Sequence, residues 1–424
     1  MKLNISFSLV PLFMMPVLIL TGCEKAYRVT DEVKDPEREV FNFMVTGSQR
    51  QTINSSRGET FNVTDPVPVL QYAGSTYTLD RFDIRGESSL NFPRKGFGVN
   101  MGRKIELRNP DEPAGRKYDE FKLIAMVFDF TYIEHSTADE LFREVNMWPV
   151  YSFFTELKLN GHTQGLYHFI EDPVEYFIEQ QNSSFVLRRG YDHSLKAYKS
   201  SQYPNNDPQV YVSRFQKIYS DITKYSGNRL YDTLSASLDM EQYFTKISID
   251  MILKNGDYTD EIFFFTKANG NKEIFGVFPW DYDDLFSDNP HEIGRSWATG
   301  TVFGNRSYPD MSSVIADVGS KLLFSIEDDL DYIIAKDPFL YQQYLKTLRR
   351  VVEKIDVVTI DRIFDSTFEH ISPFYANDSI VAQSKFDETP TNYNLFKVNL
   401  AQKRQMLKDR REMIIQELDL TQTK

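Results

Sequence analysis

The strongest constraint on the fold is a pair of strand–turn–strand patterns, each centred on an Asn-Gly step. Residues 153–159 and 164–170 flank Asn160-Gly161, and residues 261–267 and 273–278 flank Asn269-Gly270-Asn271. Asn-Gly favours tight hairpins because both central residues of such a turn must accept positive φ angles. The chain is therefore predicted to contain two antiparallel hairpins, the first of which ends at Glu171.

Two regions of different periodicity surround these hairpins. Residues 39–107 show short alternating runs, such as 75–79 and 97–101, separated by Gly and Pro, which is typical of β-strands. Residues 314–418 show helical periodicity, clearest over 342–355 and 398–418. This order predicts an α+β fold with a β-rich N-terminal part and a helical C-terminal part.

A further helix is predicted just before the second hairpin. Asp239 is a suitable N-cap, and Gln242 follows three residues later, as in a capping box. Tyr243, Ile247 and Met251 then recur on one helical face. We expect this helix to end at residues 254–256.

The N-terminal segment has the pattern of an exported lipoprotein. Residues 1–22 combine a lysine with an apolar run, as signal peptides do, and Leu20-Thr21-Gly22-Cys23 looks like a bacterial lipobox. Cys23 is the only cysteine, so no internal disulfide is expected. The alternative for Cys23 is a coincidental free or buried thiol.

These features predict lipidation of Cys23 and a charged tether over residues 23–38. We expect a lipid-anchored protein of the bacterial cell envelope, at the outer membrane or surface rather than the inner membrane, because Glu24 replaces the retention signal Asp. The net charge of −13 argues against nucleic-acid binding, because phosphate contacts need clustered Lys and Arg.

Acidic residues cluster after the predicted helix and after the second hairpin. Asp257 follows a helix C-terminus, where the helix dipole favours cations. Asp281 and Asp283 would point to one side of an extended segment, where two carboxylates repel unless a cation or proton lies between them. These acids suit Mg²⁺ and a hydroxyl nucleophile. The alternatives are a solvated loop Asp and an acidic surface turn.

Two upstream segments carry groups suited to phosphate. Arg85, Ser88 and Ser89 surround a Gly-containing turn, and Lys95 follows in a basic run. Backbone N–H groups, hydroxyls and cations arranged in this way can bind phosphate, although a basic hairpin with ordinary turns is the alternative. Glu171 could orient a lysine or share the metal.

Other chemistries lack support in the sequence. The six histidines show no close metal-ligand spacing. The chain has no Gly-x-Ser-x-Gly step, no Walker A motif and no Rossmann glycine pattern. Cysteine catalysis is excluded if Cys23 carries lipid.

Taken together and in this order, these segments resemble the CotH kinase family. The resemblance covers residues 75–415. The matching segments are Arg85-Gly86, Ser88-Ser89, Pro93-Arg94-Lys95, residues 159–171, Asn255-Gly256-Asp257, Pro279-Trp280-Asp281-Tyr282-Asp283 and the helix from Lys403-Arg404 to Leu418. The departures are Gly96-Phe97-Gly98, a weak match over 123–147 anchored by Asp129 and Arg143, and the extra Asp284.

The resemblance implies an atypical protein-kinase-like fold and an ATP- and Mg²⁺-dependent kinase that acts on Ser or Thr of a partner protein. The core would span residues 39–300, and residues 301–424 would form a helical part of the same domain. The implied roles are acceptor orientation by Asp257 with Asn255, Mg²⁺ binding by Asp281 or Asp283, and nucleotide binding by Arg85, Ser88, Ser89, Lys95 and Glu171.

A catalytically inactive surface lipoprotein that uses this fold to bind a protein or glycan is the alternative. The export signal favours it, because ATP is scarce outside the inner membrane, and so does the glycine-containing segment at 96–98. The joint presence of Lys95, Glu171, Asp257 and the acidic pair favours the kinase.

Overall fold

The computed structural model describes most of the chain after residue 39. The described ranges are 40–86, 88–107, 116–129, 131–190, 195–199, 207–257, 262–291, 293, 306, 308–381, 385–386 and 389–422. Cys23 and the predicted signal peptide and tether lie outside them. No helix within these ranges is long and apolar enough to cross a bilayer.

Nine described strands form one large sheet. They are β1 (Val40–Met44), β2 (Phe61–Asn62), β3 (Val69–Tyr72), β4 (Ser75–Thr78), β5 (Arg81–Arg85), β6 (Gly96–Ile105), β7 (Tyr118–Ile124), β8 (Ser152–Leu159) and β9 (His162–Glu171). Their order is β2-β5-β6-β7-β9-β8-β1-β3-β4. Neighbours run antiparallel except β1 and β8, which are parallel.

A second, four-stranded antiparallel sheet lies later in the described chain. It contains β10 (Phe185–Arg189), β11 (Leu195–Lys199), β12 (Ile262–Asn269) and β13 (Lys272–Pro279) in the order β11-β10-β12-β13. A short ladder pairs β14 (Lys385–Phe386) with β15 (Thr389–Pro390).

Both predicted hairpins are confirmed. In the first, Leu159 pairs with His162 around Asn160 and Gly161, whose φ angles are 51° and 77°. In the second, β12 and β13 meet at a two-residue turn, so Asn269 pairs with Lys272 and belongs to the strand.

The helices fill the connections and the C-terminal part. They are α1 (Gly47–Ser55), α2 (Ile133–Glu144), α3 (Pro173–Glu175), α4 (Pro208–Asp221), α5 (Gly227–Ser235), α6 (Met240–Leu253), α7 (Met311–Val318), α8 (Asp329–Lys336), α9 (Pro338–Lys354), α10 (Val357–Ile371), α11 (Asp378–Val381) and α12 (Tyr393–Gln422). The helical C-terminal region and the α+β class are therefore confirmed.

Helix α6 begins as predicted. The Asp239 carboxylate accepts a hydrogen bond from the Gln242 backbone N–H at 3.0 Å, which caps the helix. The Gln242 side chain does not complete a capping box. Its Oε1 accepts a hydrogen bond from the Val277 backbone N–H at 3.2 Å, which ties α6 to β13.

The large sheet has one apolar face and one polar face where β5, β6, β7 and β9 lie side by side. Phe82, Phe97, Phe121 and Phe169 are buried on the apolar face. The register places Asp83 beside Gly98, Gly98 beside Lys122, and Lys122 beside Ile170 on the other face. Paired residues share a face, so this register decides which charged groups can reach the site described next.

Candidate active site

The acidic loop after β13 alternates buried aromatic residues with carboxylates. Trp280 and Tyr282 are almost fully buried, and the Tyr282 hydroxyl donates to Asp250 of α6 at 2.7 Å. This anchoring presents Asp281 and Asp283 together on the open side. Asp281 adopts a left-handed conformation with φ 59°, so the two acids converge through a turn rather than through the strand alternation that the sequence suggested.

The loop after α6 is joined to the acidic loop by backbone hydrogen bonds. Gly256 N–H donates to the Asp284 carbonyl at 2.9 Å, and His291 N–H donates to the Gly256 carbonyl at 2.8 Å. Two more bonds run from Phe286 N–H to Leu253 and from Ser287 N–H to Lys254. Asp257 is therefore held beside the acidic loop by main-chain contacts.

Gly256 lies where the two loops approach most closely. A Cβ atom there would meet Asp284 Oδ2 at 1.9 Å and Ser287 Oγ at 2.6 Å. Asp284 itself accepts from the Ser287 hydroxyl at 2.6 Å and pairs with His291 at 2.6 Å. Burial opposes ionisation of Asp284, yet these partners hold its pKa below the ordinary value. The side chain of this extra acid thus braces the acidic loop, and its backbone carbonyl joins that loop to Gly256.

Asp257, Asp281 and Asp283 form one electrostatic group. Burial, followed by the charge of Asp281, raises the pKa of Asp283 well above its usual range, and Asp257 contributes in the same direction. The Asp257 side chain is about one-third exposed (34%), so it lies at the rim. Asn255 is fully buried, and its Nδ2 donates to the Asp257 carbonyl at 3.5 Å.

His135 on α2 lies close to the acidic pair. One ligand atom each from His135, Asp281 and Asp283 lies within 4.8 Å of the others. Burial opposes protonation of His135, but Asp129 and Asp281 raise its pKa well above 6.5. Burial would raise the pKa of Asp281, yet His135, then Arg85 and Arg188, hold it below its usual value.

Three cations approach the acidic loop from the sheets. Arg85 and Lys122 lie over the Trp280 ring at 5.7 and 5.5 Å from its centroid. Lys122 also forms an ion pair with Asp172. Arg188, from β10, contributes to the electrostatics of Arg85, Lys122 and Asp281. The site therefore combines a carboxylate group with an adjoining cationic group.

Several buried hydrogen-bond donors in or beside this cationic group have no hydrogen-bond acceptor within the described ranges. They are Arg85 Nη1, Arg188 Nε and Trp280 Nε1. Buried donors without partners are costly, and an anionic ligand would satisfy them. Burial lowers the pKa of Lys122 to about 8, with Asp172 opposing and Arg85 reinforcing that shift.

Lys95 and Glu171 have side chains on the apolar face, away from Lys122. Lys95 is 2% exposed, and its ammonium group donates to the Leu90 carbonyl. Glu171 pairs in register with Phe121 and contacts Arg116, Gln180 and the Tyr151 backbone. The structure does not bring these two residues together with Asp257, Asp281 and Asp283.

Only part of the predicted phosphate-binding turn lies at the site. Arg85 reaches the acidic loop, while Ser88 and Ser89 begin a short 3₁₀ helix, Ser88–Asn91, in which Ser88 is exposed. Gly86 has φ 132°, and a Cβ there would meet Ser89 Oγ at 2.2 Å, so the turn requires glycine. A Cβ at Gly96 would lie 3.3 Å from the Arg85 carbonyl oxygen, which is a tight contact, whereas a Cβ at Gly98 would make only ordinary contacts with Asp83 and Arg85.

The last helix borders the site through Lys403. Its ammonium group pairs with Glu134, whose other carboxylate oxygen accepts from Leu285 N–H at 2.8 Å. Burial and the charge of Asp129 raise the pKa of Glu134 to about 7. A cavity of about 250 Å³ lies between these groups and Met406.

Several residues of the site were not found from the sequence. They are Lys122, Asp172, Arg188, His135 and Glu134. Lys122 and Asp172 are 50 positions apart, and no local motif marks them. His135 lies in the segment 123–147, where the resemblance was weak, and only Asp129 of its surroundings was marked.

Comparison with protein-family models gives a match that covers most of the chain. A family model described as CotH kinase protein matches residues 82–414, which is most of the chain and includes every site segment described above. A search of curated proteins finds no match.

Proposed function

The chain belongs to the CotH kinase family, and from that premise we propose that it is a phosphotransferase that uses a nucleoside triphosphate and a divalent cation. The observation that carries the proposal is the contact between two groups of opposite charge. Asp281 lies within electrostatic reach of Arg85 and Arg188, and Asp283 lies within electrostatic reach of Asp281 and Asp257. Phosphoryl transfer depends on this combination of cations, metal-binding acids and an acceptor-orienting acid.

The cationic group fits a polyphosphate. Arg85 and Arg188 present buried donors that lack acceptors within the described ranges. Arg guanidinium groups bind phosphate oxygens through paired, charge-assisted hydrogen bonds. Lys122 adds a buried ammonium group whose position is fixed by Asp172. We assign these three cations to the donor phosphates, with ATP as the donor that family membership suggests.

The acidic pair fits a divalent cation. Asp281 and Asp283 offer oxygen ligands within 4.8 Å of each other. Burial and then repulsion by Asp281 raise the pKa of Asp283, and a bound cation would remove that repulsion. When bound, the cation would be held by Asp281 and Asp283 and would supply positive charge against the charge that develops during phosphoryl transfer. Mg²⁺ is the ion that family membership suggests.

Asp257 is assigned to the acceptor. Its carboxylate is partly exposed at the rim, and the backbone bonds of Gly256 fix its position relative to the acidic loop. A carboxylate there can accept the proton of an incoming hydroxyl. We propose a Ser or Thr of a partner protein as the acceptor, with buried Asn255 holding the Asp257 backbone.

The cellular setting is part of the proposal. We propose that lipid on Cys23 anchors the protein in the bacterial cell envelope, at the outer membrane or cell surface. The roles predicted for Lys95, Glu171, Ser88 and Ser89 are left out of the proposed site, because the contacts above give them other surroundings.

Nucleotide binding and phosphate transfer test the proposal. With the full chain in detergent, we expect ATP binding that requires a divalent cation, and transfer of labelled phosphate to itself or to a Ser-rich acceptor protein. Asp283→Asn should abolish the cation-dependent ATP binding, whereas Asp257→Asn should retain ATP binding and lose phosphate transfer. Asp288→Asn is the matched control, because that side chain is 99% exposed beside the same loop.

A different result would reject the proposed function. Absence of nucleotide binding with Mg²⁺, Mn²⁺ or Ca²⁺, in a chain that unfolds cooperatively, would reject the phosphotransferase. It would favour the catalytically inactive lipoprotein that binds a protein or glycan.

A further inference from the structure

The imidazole of His135 is held between two carboxylates. The side chain is 3% exposed, and Nδ1 lies 3.2 Å from Asp129 Oδ2. On the other side, Nε2 lies 3.6 Å from Asp281 Oδ1, which is longer than a hydrogen bond. Nε2 is buried and has no hydrogen-bond partner in the described part of the chain.

Nε2 faces the two acids assigned above to a cation. His135, Asp281 and Asp283 each offer one ligand atom within 4.8 Å of the others. Ligand atoms at about 2.0–2.2 Å from a metal ion lie roughly 3–4.4 Å apart, so a small contraction would close the group around one ion.

Asp129 is placed to orient the ring. Its Oδ2 also accepts the backbone N–H groups of Glu134 at 2.9 Å and His135 at 3.0 Å, which fixes the carboxylate at the start of α2. A metal ion must displace the proton from Nε2, and a carboxylate on the other imidazole nitrogen keeps the remaining proton there and leaves the Nε2 lone pair for the metal. The Asp129–His135 contact has this arrangement.

We propose that His135 is a third protein ligand of the cation centre and that it makes the centre prefer first-row transition-metal dications to Mg²⁺. The inference rests on the proposed cation role of Asp281 and Asp283. Mg²⁺ prefers oxygen ligands, whereas an imidazole nitrogen with carboxylates suits transition metals. Mn²⁺ binds more weakly than the other dications of that series. A site that prefers Mn²⁺ to Mg²⁺ is therefore the most demanding test of the proposal.

The experiment uses Mn²⁺ without nucleotide. The full chain in detergent is freed of metal by chelation, and Mn²⁺ binding is followed by electron paramagnetic resonance with Mg²⁺ as competitor. Electron spin echo modulation then reports whether a nitrogen ligates the bound Mn²⁺. We expect Mn²⁺ to bind at least tenfold more tightly than Mg²⁺ and to show imidazole nitrogen modulation.

Three variants test whether His135 supplies the nitrogen that ligates Mn²⁺. His135→Asn should remove the modulation and lower Mn²⁺ affinity about tenfold or more, with Mg²⁺ affinity changed less than threefold. His162→Asn, at the exposed end of the first hairpin, is the matched histidine control and should change neither. Asp129→Asn keeps the imidazole but loses its orienting charge, so the modulation should persist while Mn²⁺ affinity falls roughly tenfold. Asp129→Asn also tests the proposal if His135→Asn does not fold.

The outcomes separate this inference from the proposed function. Mn²⁺ that binds without nitrogen modulation, in a protein that transfers phosphate with Mg²⁺, would overturn the role of His135 and leave the phosphotransferase intact. Nitrogen-ligated Mn²⁺ in a protein that binds no nucleotide would support the metal centre and reject the phosphotransferase.

Discussion

Lys122 and Asp172 form an ion pair on the polar face of the large sheet, next to Arg85 and Trp280. Both side chains are mostly buried, and Asp172 partly offsets the effect of burial on the Lys122 pKa. The pair thus provides a fixed lysine beside the acidic loop. Lys95 and Glu171, the pair suggested by resemblance, lie on the other face.

This placement predicts that Lys122 matters for nucleotide binding and Lys95 does not. Lys122→Met should weaken ATP affinity about tenfold or more, because a charge-assisted hydrogen bond contributes about 1.5–3 kcal/mol. Lys95→Met is the matched control and should change affinity less than about twofold. Isothermal titration calorimetry in the presence of divalent cation measures both. A larger loss in Lys95→Met would return the phosphate role to Lys95.

The pH dependence of nucleotide binding should report Lys122. Its pKa is about 8 without ligand, and a bound phosphate would raise that value. Between about pH 8 and 9.5 the complex therefore holds more protons than the free protein, so binding takes up a proton and affinity falls as pH rises. Titrations in buffers of different ionisation enthalpy measure the uptake.

The matched variant for this prediction is Lys122→Arg. A guanidinium group stays protonated throughout that pH range, so the variant should bind without proton uptake and with a flat affinity profile. An identical decline in wild type and Lys122→Arg would show that another group controls the pH dependence.

Gly256 should be essential for the geometry between Asp257 and the acidic loop. In Gly256→Ala the new Cβ meets Asp284 Oδ2 at 1.9 Å, so the two loops must separate. We expect a loss of about 1–3 kcal/mol in the free energy of unfolding and a larger fall in phosphate transfer than in ATP affinity. Chemical denaturation and transfer assays measure these effects.

Two further variants test that explanation. Gly47→Ala introduces a Cβ with nothing within 4 Å and should be neutral. In Gly256→Ala/Asp284→Ala the clashing carboxylate is gone, so the combined loss should be smaller than the sum of the single losses. Strict additivity would mean that the clash is not the cause.

Local patterns in the sequence predicted much of the fold. Asn160-Gly161 predicted the β8–β9 hairpin, and Asp239 predicted the start of α6, because both signals depend on residues that are close in sequence. Asp257 and Asp283 were also marked, because each follows such an element directly. Their approach depends on the backbone bonds of Gly256, which no local pattern encodes.

The rest of the site depends on register and on contacts between distant segments. Whether Lys122 or Lys95 faces the acidic loop is decided by strand pairing, since a shift of one residue moves a side chain to the opposite face. His135 and Asp281 are contributed by α2 and by the loop after β13, so no spacing rule along the chain joins them. The histidine was passed over for that reason.

Lys95 should reduce stability at neutral pH, and its removal tests the placement directly. The side chain is 2% exposed, and burial, followed by the charge of Arg57, lowers its pKa from 10.5 to about 8. Below pH 8 the amine is protonated in both the folded and the unfolded chain, so the full cost of burying the charge is present. Lys95→Met should then raise the free energy of unfolding by up to about 3 kcal/mol.

The sign of the pH dependence follows from proton binding. Between about pH 8 and 10.5 the unfolded chain holds more protons at Lys95 than the folded chain, so the wild type gains stability as pH rises. The advantage of Lys95→Met should therefore be largest below pH 8 and close toward pH 10.5. Urea unfolding at pH 7, 9 and 10.5 measures it, with exposed Lys117→Met as the control. A constant difference across that range would place Lys95 in a solvated site and contradict its burial.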